Sequence, residues 1–206
     1  MAGHVQDDVD RRLFVVGLGN PGRQYAQTRH NVGFRVVDLL ASRWSAGEGK
    51  AAFGGQLWEV RPAESQGASR SVVLFEPHTY MNRSGQAVRE LSAFYKVEPD
   101  ELLVVLDDMN LPVGRVRLRA EGSSGGQKGL ADVVGQLGTL AVPRLRIGIG
   151  APPGQMDGAD FVLSKFAPDD LEIIETAIQV AADAVSDWVF RGMNYAMEIY
   201  NRKPEE

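Results

Sequence analysis

Short apolar runs of strand length alternate along this chain with segments in which apolar residues recur at helical spacing. The runs predict strands at residues 13–18, 55–60, 71–75, 101–106, 115–119 and 145–149. The periodic segments predict amphipathic helices at 31–44, from 82 to just before 99, at 127–137 and at 169–190. Strands that alternate with helices pack as an α/β domain in which helices surround a sheet.

The length of the chain fits one domain. Its 206 residues are too few for two full-sized domains. The first residues are polar and show no periodicity, whereas the apolar pattern begins at Leu13. We therefore predict a flexible leader over residues 1–12 and a single α/β domain over residues 13–206.

The composition excludes or disfavours several kinds of site. The chain has no cysteine, which rules out disulfides, thiolate nucleophiles and cysteine-ligated metals and is typical of a reducing cytoplasm. It has only three histidines, which disfavours a multi-histidine metal site. No apolar run approaches the roughly 20 residues of a membrane span, and the acidic start is unlike a signal peptide.

One glycine motif suggests a dinucleotide cofactor. Gly17 to Gly22 matches G-x-G-x-x-G directly after a strand, and Asp38 lies at about the right distance downstream to contact a ribose. However, Pro21 removes an amide that a pyrophosphate would bind, the next helix begins only near Asn31, and Asp38 falls inside that helix. We therefore favour a tight turn whose glycines permit positive φ, and keep cofactor binding as a disfavoured alternative.

Polar residues concentrate in four loops beyond what folding alone requires. If the intervening strands are parallel, their carboxyl ends bring these loops to one edge of the sheet, where functional sites usually lie. The loops are residues 20–25 with 28–31, 77–85, 107–114 and 122–129.

These loops contain the groups that ester hydrolysis needs. Histidine is the side chain that ordinarily titrates nearest neutrality, so His30 is the natural general base, and Asp107 can orient it. Asn20 and Asn82 offer uncharged amide donors for a carbonyl oxygen that becomes anionic during attack. Since the chain has no cysteine and no serine at a nucleophile elbow, water is the expected nucleophile. The residues indicate base-assisted hydrolysis of an ester or a similarly activated carbonyl.

Each of these residues also has a purely structural explanation, and the residues taken singly do not decide between the two. The structural alternatives are a turn former at Asn20, helix N-caps at Asn31 and Asn82, a surface histidine at His30, the start of a turn at Asp107 and Asp108, and packing residues at Tyr25 and Met81.

Four motifs occur together, in order, between about Leu13 and Phe190. They are Val15-Val-Gly-Leu-Gly-Asn-Pro-Gly22 followed by Tyr25 and Thr28-Arg-His-Asn-Val-Gly-Phe34; Thr79-Tyr-Met-Asn-x-Ser-Gly85 after Pro77; Asp107-Asp with Leu111-Pro-x-Gly114; and Gly122-Ser-x-Gly-Gly126-x-x-Gly-Leu130. Their combination strongly resembles the signature of the bacterial-type peptidyl-tRNA hydrolase family.

This resemblance implies a monomeric, metal-free and cofactor-free enzyme with a mixed β-sheet surrounded by helices. It implies cleavage, by histidine-activated water, of the ester that joins a peptide to the 3′ ribose of tRNA, which recycles tRNA during translation in the cytoplasm. The implied roles are water activation by His30, orientation of His30 by Asp107, binding of the peptide carbonyl or backbone by Asn20 and Asn82, placement of Asn82 by Met81, and lining of the 3′-end site by Tyr25.

The sequence departs from the family pattern at one point. After the double glycine the family usually reads His-Asn-Gly-Leu, whereas this chain has Gln127 and Lys128 before Gly-Leu. Lys128 lacks the acceptor of an asparagine, but it can bind substrate by holding a tRNA phosphate as a point charge. The departure gives weight to a non-catalytic RNA-binding relative, similar to the organellar splicing-factor branch of the family. The intact His30 and Asp107 oppose that alternative.

The net charge of −5 is unevenly distributed. Residues 112–146 contain six basic and two acidic residues, a local charge of +4, so the rest of the chain carries −9. Arg115, Arg117 and Arg119 alternate, so one face of a strand can present all three to phosphates. The structural alternative is a solvated strand edge. Beside the neighbouring motifs, the pattern predicts a basic tRNA-binding face on an otherwise acidic protein.

Overall fold

The computed structural model describes residues 11–64 and 69–202, and it contains seven strands and five α-helices within them. The strands are β1 (Leu13–Gly17), β2 (Lys50–Ala52), β3 (Gly55–Val60), β4 (Val72–Pro77), β5 (Leu102–Asp108), β6 (Val116–Arg119) and β7 (Arg144–Gly148). The helices are α1 (Val32–Arg43), α2 (Ser84–Tyr95), α3 (Lys128–Leu137), α4 (Gly158–Val162) and α5 (Pro168–Tyr200).

All seven strands form one mixed sheet in the order β2-β3-β4-β1-β5-β7-β6. The four central strands, β4, β1, β5 and β7, are parallel, while β2, β3 and β6 run antiparallel to their neighbours. The predicted α/β fold with a mixed sheet and surrounding helices is therefore confirmed. Because the central strands are parallel, their carboxyl ends meet at one edge of the sheet, as the prediction for the polar loops required.

Helices cover both faces of the sheet, and successive residues of the central strands alternate between two apolar cores. Val15, Leu103 and Leu145 pack with α1 and α5 on one face. Val16 and Val104 pack with α2 and α3 on the other face. Both faces of β1, β4 and β5 are thus buried, which explains why their sequences contain continuous apolar runs. In β7, by contrast, arginines alternate with apolar residues.

The glycine motif after β1 acts mainly through close packing. Of its three glycines only Gly22 has a positive φ, of 110°. A Cβ at Gly17 would collide with the carbonyl oxygen of Gly33 in α1, and one at Gly19 would collide with the ring of Phe34. The expectation of positive φ is therefore right for Gly22 and wrong for Gly17 and Gly19. Their missing side chains let the start of α1 lie directly against β1.

Several elements differ from the sequence-based prediction at their ends. A short 3-10 helix, Met81–Arg83, precedes α2. Near the end of α2, Phe94 is 68% exposed and packs on Phe53 at the surface. Helix α5 continues past the predicted end at 190, with a kink at Gly192. Strand β2 and helix α4 were not predicted. The predicted leader lies outside the described residues except for Arg11 and Arg12.

Among the described helices, none combines the length and apolar character that crossing a membrane requires.

Candidate active site

A cavity of about 550 Å³ opens at the carboxyl ends of β1 and β5, where the four polar loops meet. Each loop contributes to its lining, so the predicted clustering is observed. A fifth segment around α4, which sequence reasoning missed, adds Asp157, Val162 and Leu163 to the lining. The lining residues from the polar loops are Asn20, Tyr25, His30, Tyr80, Met81, Asn82, Asp107, Asp108, Met109, Asn110, Gly125, Gly126, Gln127 and Lys128.

His30 and Asp107 form a buried pair at the base of this cavity. His30 lies in a 3-10 helix, Arg29–Asn31, just before α1, and Asp107 lies near the end of β5. The Nδ1 atom of His30 is 2.9 Å from each carboxylate oxygen of Asp107. The two residues are only 8% and 1% exposed. This contact places the proton of a neutral His30 on Nδ1 and leaves Nε2 as the unprotonated nitrogen.

The amide of Asn20 is held in one orientation by the loops around it. Its Oδ1 accepts a 2.8 Å hydrogen bond from the backbone N–H of Met81. Since Oδ1 is the acceptor, Nδ2 is the donor left for the cavity that Asn20 lines. The backbone of Asn20 is fixed by Asn31, whose Nδ2 donates to its carbonyl (2.9 Å) and whose Oδ1 accepts from its N–H (3.0 Å). Asn31 therefore does not cap α1 with its side chain, contrary to the expectation, because that side chain fixes the Asn20 loop.

Met81 and Asn82 begin the next wall of the cavity. Met81 is buried and Asn82 is exposed, both in the 3-10 helix before α2. The residue at the N-cap position of α2 is Arg83, so the structural explanation of Asn82 as a helix cap is wrong. No hydrogen bond links the Asn82 amide to another residue of the described chain, and both its donor and its acceptor remain available at the cavity.

The glycine-rich loop lines the cavity beside Asp107. Gln127 caps α3, since its Oε1 accepts a 2.6 Å hydrogen bond from Leu130 N–H, and its Nε2 donates to Asp107 Oδ1 at 3.0 Å. Lys128, the first residue of α3, is exposed, and none of the carboxylates in residues 11–64 and 69–202 lies within 4 Å of its ammonium group. A cation in the first turn of a helix opposes the helix dipole, so helix stability does not explain this lysine.

The three predicted arginines occupy different environments. Arg117 and Arg119 lie on the outer face of β6, and the register places them opposite Arg146 and Arg144 of β7. Burial, and then the charges of Arg146 and Arg119, lower the pKa of the Arg144 guanidinium. Arg115 precedes β6 and donates to the carbonyls of Asn201 and Arg202 at the end of α5. The structure therefore joins Arg117 and Arg119 to the β7 arginines and separates Arg115 from them.

Arg29, next to His30, is buried and contacts the α4 segment, a role that the sequence analysis did not predict. Its guanidinium lies over the rings of Phe161 (4.4 Å) and Phe166 (4.9 Å) and donates to Ser164 Oγ at 2.7 Å. Burial lowers its pKa, partly offset by Asp170. These contacts join the α4 segment to the turn that holds His30. No local pattern indicates a contact between residues so far apart in sequence.

A second buried carboxyl group lies behind the Asn20 loop. Glu76, at the end of β4, is 6% exposed, and burial followed by the charge of Asp38 raises its pKa to about 8. Within the described chain its Oε1 has no hydrogen-bond partner, and Oε2 is 3.8 Å from Nε2 of His78. No group of three or more histidine, aspartate or glutamate side chains in the described residues is arranged to hold a metal ion.

Comparisons with known proteins identify one family over most of the chain. The family model described as peptidyl-tRNA hydrolase matches residues 14–206. A peptidyl-tRNA hydrolase of Rhodopirellula baltica is 48% identical over 187 residues, covering 91% of this chain and 96% of that protein. One from Chloroflexus aggregans is 49% identical over 188 residues, covering 91% and 97%. The crystal structure of the peptidyl-tRNA hydrolase of Acinetobacter baumannii superposes with a TM-score of 0.83 at 37% identity, covering 94% and 96% of the two chains.

Proposed function

This chain belongs to the peptidyl-tRNA hydrolase family, and on that basis we propose how its cavity hydrolyses the ester between a peptide and the 3′ ribose of tRNA. The observation that carries the proposal is the buried His30–Asp107 pair, with Nδ1 2.9 Å from both carboxylate oxygens. The pair supplies an oriented base, and it lines the same cavity as the two asparagines.

In the proposed reaction, Nε2 of His30 removes a proton from water as the water oxygen attacks the ester carbonyl. Asp107 stabilises the imidazolium that forms and keeps the ring oriented. The C–O bond to the ribose then breaks, and the imidazolium returns its proton to the 3′ oxygen. The products are a peptide with a free carboxylate and a tRNA with a free 3′ hydroxyl.

The proposal assigns the two asparagines to the peptide end of the substrate. Nδ2 of Asn20 donates to the carbonyl oxygen as it becomes an oxyanion, and its fixed orientation means that little reorganisation is needed. Asn82 binds the peptide backbone. Met81 supports both amides, because its backbone N–H orients Asn20 and its buried side chain anchors the turn that carries Asn82.

The tRNA end is assigned to Tyr25, Lys128 and the outer arginines. Tyr25 lines the cavity on the side of the 3′ end, and Lys128 holds a phosphate near it. Arg117 and Arg119 contact phosphates further along the acceptor end, with Arg146 beside them on β7. Arg115 is not among the proposed phosphate contacts, because its guanidinium donates hydrogen bonds to the carbonyls at the end of α5.

A direct experiment incubates the purified protein with peptidyl-tRNA and follows peptide release by the wild type and His30→Ala. We expect rapid release by the wild type, loss by about 10³-fold in the variant, and tRNA binding that is nearly equal in both. Equal, slow release by both proteins that still bind tRNA would instead support the non-catalytic RNA-binding alternative, which the comparisons do not favour.

We also propose that the protein acts as a monomer in the cytoplasm and requires no metal ion or cofactor. The substrate is a product of translation, and every group used in the proposed reaction comes from one chain. A monomeric mass by light scattering, together with an unchanged rate after treatment with EDTA, would support this part of the proposal.

A further inference from the structure

We infer that Gln127 is a positioning residue for the reaction, whose side-chain amide holds the Asp107 carboxylate against His30. The inference rests on the proposed roles of His30 and Asp107. Gln127 lies at one of the two positions where this chain departs from the usual pattern of the family it resembles, and the geometry around its side chain gives the departure a specific consequence.

The orientation of the Gln127 amide is fixed by helix α3. Leu130 N–H is a donor and needs an acceptor, so the atom 2.6 Å from it is Oε1. The remaining nitrogen, Nε2, then faces Asp107 Oδ1 at 3.0 Å. One side chain thus connects the first turn of a helix to the carboxylate, with no alternative arrangement that keeps both hydrogen bonds.

Asp107 needs a second hydrogen-bond donor, because its carboxylate is buried and the His30 imidazole beside it changes protonation in the proposed reaction. Two side chains of the described structure donate to its carboxylate, the imidazole of His30 and the amide of Gln127. The amide does not titrate, so it donates through the whole reaction cycle and at every working pH. It keeps the carboxylate oriented and withdraws part of its negative charge from the imidazole.

Gln127 also contacts the second half of the site. Its Nε2 is 3.3 Å from Sδ of Met81, and the backbone N–H of Met81 orients the Asn20 amide. The Gln127 side chain therefore lies between the His30–Asp107 pair and the segment that orients the Asn20 amide. The other ionisable groups at the cavity are Asp108, which is paired with Arg146, together with Lys128, Asp157, Tyr25 and Tyr80.

Three substitutions separate the cap of α3 from the donation to Asp107. Gln127→Ser keeps a capping oxygen but is too short to reach Asp107. Gln127→Met keeps the length but has neither capping oxygen nor donor. Gln127→Glu keeps the length and the capping oxygen but places a second carboxylate against Asp107. The measurements are kcat, KM and the dependence of kcat/KM on pH with peptidyl-tRNA, together with Tm.

The inference predicts that kcat depends on the hydrogen-bond donor to Asp107, whereas Tm depends on the side-chain oxygen that caps α3. Gln127→Ser and Gln127→Met both lose about tenfold in kcat with KM within threefold of the wild type, and Gln127→Glu loses more. The acid limb of the kcat/KM profile moves to higher pH, because a carboxylate without the amide stabilises the protonated, inactive imidazole more strongly. Gln127→Met, which lacks the capping oxygen, has a lower Tm than Gln127→Ser.

A purely structural role predicts a different order. If Gln127 only caps α3, Gln127→Ser keeps wild-type kcat and an unmoved acid limb, and that result would overturn the inference. His30→Ala is measured in parallel. If His30→Ala retains activity, the proposed catalytic roles fail; if it is inactive while Gln127→Ser behaves as wild type, only the role of Gln127 fails.

Discussion

At the scale of single residues, Asn20 has a structural contact and a proposed chemical role. Its Oδ1 accepts a hydrogen bond from Met81 N–H, and its Nδ2 is the donor that we propose for the oxyanion. Asn20→Asp keeps an oxygen for Met81 but replaces the donor with a negatively charged oxygen that repels the oxyanion. We expect kcat to fall by about 10²–10³-fold while Tm changes little. Steady-state kinetics and thermal melting check this, and a kcat within threefold of wild type would remove Asn20 from the chemistry.

Lys128 is expected to act on binding rather than on bond cleavage. Lys128→Asn removes the proposed phosphate contact and leaves the His30–Asp107 pair untouched, so kcat should be preserved while KM rises several-fold. Lys50→Asn, at an exposed lysine of the edge strand β2, is the matched control and should change neither constant. If kcat collapses in Lys128→Asn, the lysine belongs to the chemistry and the assignment is wrong.

Glu76 should make the fold less stable at high pH. The pKa of its carboxyl is raised to about 8 by burial and by Asp38, so the folded state holds this proton more tightly than the unfolded state does. The free energy of unfolding therefore falls as the pH rises from the ordinary carboxyl range to about 8. Glu76→Gln, which mimics the protonated form, should raise Tm at pH 9 by roughly 5 °C and change it little at pH 5.

The control for this prediction is Glu48→Gln, which removes an exposed carboxylate. Its effect on Tm should be small at both pH values. An equal Tm for wild type and Glu76→Gln at pH 9 would show that Glu76 is ionised without cost in the folded protein.

The sequence was enough to propose chemical roles for the site residues, whereas the orientation of their side chains could not be predicted. A histidine, an aspartate and two asparagines in loops after strands were enough to indicate base-assisted hydrolysis, because few other side chains perform those roles. The orientation of Asn20 depends on Met81 N–H, and the donation from Gln127 depends on the path of a loop. Such contacts arise from tertiary packing, which leaves no local pattern.

At the scale of secondary-structure elements, the Arg29 side chain helps to hold the α4 segment to the turn that carries His30, beside backbone contacts such as Arg29 N–H to the Ser164 carbonyl. Arg29→Met removes the donation to Ser164 Oγ and to the carbonyl of Lys165, and it loses the cation over Phe161 and Phe166. We expect faster amide hydrogen exchange across residues 157–166 than in the wild type, with unchanged protection in β1 and β5.

The matched control is Arg35→Met, which breaks an exposed ion pair between α1 and Glu175 of α5. It should leave the exchange of residues 157–166 unchanged. Uniformly faster exchange in Arg29→Met, including the central strands, would mean that Arg29 stabilises the whole fold rather than this segment.

Elements with a clear apolar pattern were predictable, and the shortest ones were not. Strands β1, β4 and β5 contain continuous apolar runs, and the four long helices carry enough apolar residues to show a helical period. β2 has three residues and α4 has five, too few to show one. Phe94 keeps helical spacing with Leu91 yet is exposed, because its ring packs on Phe53 of the β2–β3 turn and does not reach the core.

At the scale of the whole molecule, the acidic net charge coexists with a basic face. The sheet register brings Arg117 and Arg119 beside the arginines of β7, which the spacing within one strand did not reveal. If this face binds tRNA, raised salt weakens binding, and the double variant Arg117→Gln/Arg119→Gln reduces the slope of log K against log salt by about 2.

Arg115→Gln provides the control for the basic face. It removes the same charge from the same segment, but its guanidinium is bonded to carbonyls at the end of α5. Its salt slope should match that of the wild type. A flat salt response of the wild type, or an equal loss of slope in Arg115→Gln, would contradict the assignment of the tRNA-binding face.

The most direct test of the account is whether His30 and Asp107 act as one unit. Single-turnover peptide release is measured at saturating enzyme for the wild type, His30→Ala, Asp107→Asn and the double variant. Each single substitution should slow the step by about 10³-fold, and the double variant should be no slower than His30→Ala within threefold. Losses that multiply in the double variant, or a His30→Ala rate within tenfold of wild type, would contradict the account.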